Sequence, residues 1–142
     1  MREQDLDELS FLEETSSHNP WSKRMFSDEL THPNAYCFVA REEDPGSPSP
    51  IGFICFRIQE AESELFNLCV HSNHRRCGIA RTLLEFYFDF CREKKVNTCY
   101  LEVKVDNEPA LRLYHLFSYR PIGKRPNFYQ GRYAALLMAK DL

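Results

Sequence analysis

The sequence predicts a single domain of mixed α/β class, on three observations. Segments with helical periodicity alternate along the chain with short strand-like runs, in the order ααβββαβαββ, which makes a layered α/β structure. With 142 residues and 16.8 kDa the chain has the length of one domain, 1–142, and at that size one core holds without staples. Hydrophobic residues at 43% and charged residues at 27% match globular averages, which excludes disorder and collagen-like repeats.

Each element has its own signal. Leu6, Leu9, Phe11 and Leu12 recur at near-helical spacing, so residues 1–15 read as an amphipathic helix. The run His18-Asn19-Pro20-Trp21-Ser22 breaks it, and Pro20 fits the first turn of a second helix reaching about His32. Ala35 to Arg41 (AYCFVAR) is aromatic and β-branched, hence a strand. Glu42 to Pro50 (EEDPGSPSP) is a polar surface loop, and Ile51 to Gln59 is the hairpin partner that follows it. Ser63 to Val70 (SELFNLCV) is a third strand. After a polar turn, Gly78 to Lys94 is a helix with Leu83, Leu84, Tyr87, Phe88 and Cys91 on one stripe. Thr98 to Val105 alternates: Cys99, Leu101, Val103 and Val105 on one face, Tyr100, Glu102 and Lys104 on the other. Asn107 caps a short helix to Phe117 with Pro109 in its first turn, and Tyr119 to Ile122 and Tyr133 to Ala139 are closing strands.

The net charge of −3 hides an asymmetry, with −9 over residues 1–70 and +6 over residues 71–142. The acidic half suits a cationic partner and the basic half an anionic one. Basic residues form no dense run and the pI is about 6, which does not favour direct nucleic-acid binding. No stretch approaches 18 uninterrupted apolar residues, and MREQDLDELS has no apolar signal core, so neither membrane nor secretion is expected; the expected compartment is the cytoplasm. In that compartment six cysteines without a CxxC remain reduced, and four sit in apolar segments as small hydrophobes. His71 and His74 lack further ligands at metal spacing, so no metal is expected.

Chemistry concentrates where strand SELFNLCV turns through HSNH into RRCGIARTLLEF. A strand feeding a tight turn into a helix start leaves free amides pointing outward, with the helix dipole adding about half a positive charge. Gly78 and Ala80 are small enough for a phosphate to approach the backbone, and Arg75, Arg76 and Arg81 add charge. The spacing is neither GxGxxG nor Walker A, so the physical reading is a ligand bearing a diphosphate.

RRCGIA fits the Arg/Gln-x-x-Gly-x-Gly/Ala signature of the GNAT superfamily, the Gcn5-related N-acetyltransferases. The chain resembles the RimI-type ribosomal-protein-alanine N-acetyltransferases within it. Landmarks run in order: NPWS at Asn19 to Ser22, ELFNLCV at Glu64 to Val70, RRCGIAR at Arg75 to Arg81, LEVKVDN at Leu101 to Asn107, ALRLY at Ala110 to Tyr114, and PNFY at Pro126 to Tyr129. The resemblance implies the GNAT fold, a mostly antiparallel sheet with a splayed parallel pair flanked by helices. The family opens with a short strand, for which MREQDLDELS leaves almost no room, and the segment after Asn127 is short against the pattern.

The resemblance further implies acetyl-CoA as donor. Its pyrophosphate would lie on the amides of Arg76, Cys77, Gly78, Ile79, Ala80 and Arg81, with Arg75 beside them. Its pantetheine would run along Leu68, Cys69 and Val70 like an added strand, with Asn107 contacting it from the next strand. Glu102 matches the family's general base and Tyr114 its general acid, with the Val70 amide at the oxyanion. Trp21 and Tyr129 would line the acceptor site. The implied acceptor is a protein N-terminus, such as that of a ribosomal protein, and the implied state a monomer or weak dimer. A lysine, a polyamine or another small amine as acceptor keeps the same fold and donor. A non-catalytic acetyl-CoA-binding module is the reading from another class, against which the presence of both Glu102 and Tyr114 argues.

Overall fold

The computed structural model describes residues 1–17, 19–43, 46, 49–129 and 133–142, and not the side chains of residues 127–129 and 133. A 3-10 turn at Glu3–Asp5 opens into helix α1 (Leu6–Ser16), which buries Leu6, Leu9 and Leu12. Helix α2 (Lys23–Thr31) starts at Ser22, whose hydroxyl accepts from the Met25 N–H at 3.2 Å. This corrects one expectation: Pro20 lies in the connection, because the Ser22 side chain, which satisfies an orphan amide, sets the helix start. The expected loop at 42–50 lies partly outside the described residues.

Strands β1 (Ala35–Arg41), β2 (Pro50–Gln59) and β3 (Glu62–Val70) form an antiparallel meander. Helix α3 (Ile79–Glu93) crosses to β4 (Thr98–Lys104), which pairs with β3 in parallel. Helix α4 (Glu108–Leu116) leads to β5 (Arg120–Tyr129) and β6 (Tyr133–Asp141). The six strands form one sheet in the order β1-β2-β3-β4-β6-β5, antiparallel except for β3–β4. The fold is thus the one the resemblance implies. Among the described residues no strand precedes α1; the Met1 ammonium donates to the Cys37 carbonyl of β1 at 3.1 Å.

Two cores lie on the two faces. One packs α3 and α4 against the sheet through Ile54, Phe56, Leu65, Leu84, Tyr87, Phe88, Leu101 and Met138. The other packs α1 and α2 through Leu6, Leu9, Leu12, Phe26, Phe53 and Cys55. Four cysteines, Cys55, Cys69, Cys91 and Cys99, are buried free thiols, as their apolar segments predict. Ser63, buried between the layers, accepts from the Tyr87 hydroxyl and donates to the Arg57 carbonyl, both at 2.9 Å.

Candidate active site

The site begins with one extra residue. Cys55 of β2 pairs with Asn67 of β3, but the next residue, Phe56, pairs with Leu65, so Phe66 has no partner on β2. This is a β-bulge, which bends its strand. It also resets the alternation: Leu65 and Leu68, three apart, both pack on the α3 side. The ladder between β3 and β4 runs only from Glu62↔Thr98 to Leu65↔Leu101, and stops where the bulge begins. Beyond it the two strands diverge and leave a gap.

The backbone of β3 faces that gap with unused hydrogen-bonding groups. Gly52 pairs with Val70, and the His71 N–H donates to the Ile51 carbonyl at 2.8 Å. In an antiparallel ladder this fixes Cys69 as the residue bonded to β2, and turns the N–H and C=O of Leu68 and Val70 toward the gap. Gly52 keeps the strands this close, since a Cβ there would meet the Cys69 carbonyl at 2.9 Å.

At the far end of β3 the chain turns into α3. Gly78 caps the helix with φ +78°, a left-handed conformation that glycine adopts without a Cβ penalty. No heavy atom lies within 4 Å of a Cβ built there, so the space beside Gly78 is open. The first helical bond runs from the Thr82 N–H to the Gly78 carbonyl at 2.9 Å, which leaves the amides of Ile79, Ala80 and Arg81 without an intrahelical acceptor. The exposed Cys77 lies in the turn before them. A cleft of about 490 Å³ lies beside this turn, between Arg76 and the α4 residues Pro109, Arg112, Leu113 and Leu116.

The three arginines of the turn do different things. Arg76 lines the cleft, and Arg81 pairs with Glu85 along the helix at 3.1 Å. Arg75 donates to the Ser16 carbonyl at 2.9 Å and so ties the turn to the end of α1. Asn107 lies beyond the end of β4 and caps α4, its side chain accepting from the Ala110 N–H at 3.3 Å.

Glu102 and Tyr114 approach the sheet from opposite faces. Glu102 sits on β4 opposite in phase to the buried Leu101 and Val103, hence on the α1–α2 face, with its side chain 18% exposed. Arg125 of β5 holds it at 2.7 Å. Tyr114 sits on α4, packed on the other core, with its ring edge-on to Tyr119 at 5.6 Å between centroids. Trp21 leans edge-on against buried Phe26 at 5.3 Å, in the turn between α1 and α2. Tyr129 ends β5, and its side chain lies outside the described residues.

Sequence reasoning missed four charged or polar residues around this gap. Glu64, in the ladder just before the splay, faces the same side as Glu102. Burial pushes its carboxyl up, the Glu102 charge adds to that, and Arg57 and Arg125 oppose it. Asn67, in the bulge, donates to buried Glu13 of α1 at 3.1 Å. Burial pushes the Glu13 carboxyl up; Asn67, the Trp21 N–H, Cys69 and Ser17 oppose it. A polar residue inside the apolar run ELFNLCV was the available signal for Asn67. Arg125 had none, being two strands from its partner. The Cys69 thiol is pushed up to about 12 by burial first and the Glu13 charge second. His71 accepts from the Asn73 N–H and His74 pairs with Glu42, both as loop contacts. Among the described residues no group of three or more His, Cys, Asp or Glu side chains is placed to hold a metal, and no helix is long and apolar enough to cross a membrane.

A sheet opened by a bulge, with free strand amides leading to a helix start, makes a slot for an extended ligand that ends in an anionic group. Comparison with known proteins specifies the family. Residues 4–119 match the model of the acetyltransferase (GNAT) family. A Bacillus subtilis protein provisionally named [ribosomal protein bS18]-alanine N-acetyltransferase is 31% identical over 129 residues, covering 91% of this chain and 83% of its own. The crystal structure of the ribosomal-protein-S18-alanine N-acetyltransferase of Escherichia coli superposes with a TM-score of 0.89 at 26% identity, over 99% of this chain and 90% of that one. Arabidopsis thaliana NAA60 in complex with acetyl-CoA shares the fold, with a TM-score of 0.86 at 21% identity over 98% and 94%. The chain belongs to the GNAT acetyltransferase family, and is an acyltransferase that takes its acetyl group from acetyl-CoA.

Proposed function

We propose that residues 1–142 act as one catalytic domain that acetylates the N-terminal α-amine of a protein, of the ribosomal-protein alanine kind. The observation that carries the reading is the gap itself: the Leu68 and Val70 backbone on one side, Glu102 on the other, and the α3 amides at its end. The likeness to the Bacillus subtilis and Escherichia coli proteins, over most of each chain, supports the acceptor. A ribosomal acceptor puts the enzyme in the cytoplasm.

In this reading the gap takes the pantetheine as an added strand, bonded to Leu68 and Val70. The amides of residues 76–81 take the pyrophosphate, and the cleft beside Arg76 and Arg112 takes the nucleotide end. Arg75 stands beside the pyrophosphate while tying the turn to α1, and Asn107 contacts the coenzyme from the β4 side while its side chain sets the start of α4. Trp21 and Tyr129 flank the acceptor.

The acceptor must attack as a neutral amine, and an α-amino group with a pKa of about 7.7–8.0 is largely charged at pH 7. Glu102 takes that proton, directly or through a water. The amine nitrogen bonds to the thioester carbonyl, with the Val70 N–H on the oxyanion. The C–S bond breaks and Tyr114 gives its proton to the departing sulfur. The test is thiol release from acetyl-CoA with peptides. Those beginning with Ala, Ser or Gly should react, and the same peptides with a blocked N-terminus and a free lysine should not. Acetylation found by mass spectrometry only on lysine would overturn the acceptor. Glu102→Gln should lower turnover by about 10²–10⁴-fold with acetyl-CoA binding retained, and Tyr114→Phe should also slow it.

A further inference from the structure

We infer that Arg125 is a positioning residue for the reaction: it holds the Glu102 carboxylate toward the acceptor side of the splay. The inference rests on Glu102 being the general base. Its basis is an ion pair that spans a whole strand. Glu102 lies on β4 and Arg125 on β5, with β6 between them. Neighbouring strands are about 4.8 Å apart, so the two backbones are separated by about 10 Å. The long guanidinium side chain crosses that distance diagonally, from the row of Ala135 to the row of Leu137, which pairs with Glu102. Ala135 pairs with Arg125 on one side and Lys104 on the other, is fully buried, and offers only a methyl group to cross.

Glu102 has competing neighbours. Glu64 on β3 repels it, with Arg57 of β2 on the far side of Glu64. Lys104, two residues along β4 and on the same face, is a second cation beside it, and pairs with Asp106 at 3.3 Å. A carboxylate drawn to Lys104 would turn along its own strand. One drawn to Arg125 at 2.7 Å is fixed by a second strand. The guanidinium side chain is 55% exposed, and exposed pairs contribute little to folding. A pair that contributes so little to folding fits a role in orientation, where a displacement of about 1 Å costs up to about a hundredfold in rate.

The test is a double-mutant cycle with Arg125→Met, Arg125→Lys, Glu102→Gln and the Glu102→Gln/Arg125→Met pair. Arg125→Met should lower kcat about ten- to a hundredfold, with the KM for acetyl-CoA and the unfolding midpoint unchanged. Arg125→Lys should restore part of kcat, since it keeps the charge and loses the rigid fork. The double variant should be no slower than Glu102→Gln alone, because Arg125 acts through Glu102. An undiminished kcat in Arg125→Met, or its full loss repeated on top of Glu102→Gln, overturns the inference. Wild-type turnover in Glu102→Gln overturns the assignment of the base instead.

Discussion

Cys69 is the residue where burial decides between two chemistries. It lies beside the gap, between the two residues whose backbones face it, and is the thiol nearest to where a thioester would sit. Held up to about 12, its thiol is ionised in only about one molecule in 10⁵ at pH 7, and the thiolate is the nucleophile. Transfer is therefore expected to be direct, without an acetyl-cysteine. Cys69→Ala should keep most of the turnover, and a trapped acetyl adduct on Cys69 in the wild type would contradict this. Glu13 makes a second case. Its carboxyl is raised in the folded chain, so its contribution to stability is present at acid pH, below its ordinary range, and is lost as pH rises through the raised value. Compared with Glu13→Gln, the wild type should gain stability as pH falls toward the ordinary carboxylate range, as read by denaturant unfolding along that fall.

At the scale of elements, the bulge at Phe66 makes the gap. Deleting Phe66 would put Asn67 directly after Leu65, restore strict alternation, and keep Leu65 and Leu68 on the α3 side. Such a variant should fold with an unchanged circular dichroism spectrum while losing acetyl-CoA binding by calorimetry. Tight binding by it would show that the splay has another cause. The same strand shows what the sequence could reveal. The turn from β3 into α3 is contiguous, so the helix start at Gly78 is readable from spacing alone. The bulge was not, because ELFNLCV carries apolar residues on both faces around Asn67 and hides a phase change. The closing strand expected over Tyr119 to Ile122 continues to Tyr129. It lies at the edge of the sheet, where proline lacks an N–H that no ladder needs. Arg125 was hidden by that error and by the strand order β4-β6-β5, which no local pattern encodes.

Across the whole molecule, the acidic first half and the basic second half of the chain meet at the β3–β4 seam. Residues 1–70 supply α1, α2 and β1–β3, and residues 71–142 supply α3, β4, α4, β5 and β6. In the sheet, the seam consists of four residue pairs, Glu62↔Thr98 to Leu65↔Leu101. A donor lying along Leu68 and Val70 would add rungs where the ladder stops. Amide exchange should therefore slow at Leu68 and Val70 when acetyl-CoA is added, and to a lesser degree across β4, by mass spectrometry of exchanged peptides. Unchanged exchange at those amides would mean the donor lies elsewhere. Mechanically, the two panels of the sheet are riveted to each other along the strands at one end, and elsewhere only by the core beneath them. A donor wedged in the unpaired end would act as the latch, so the stiffness of this protein in a cell would follow the supply of acetyl-CoA.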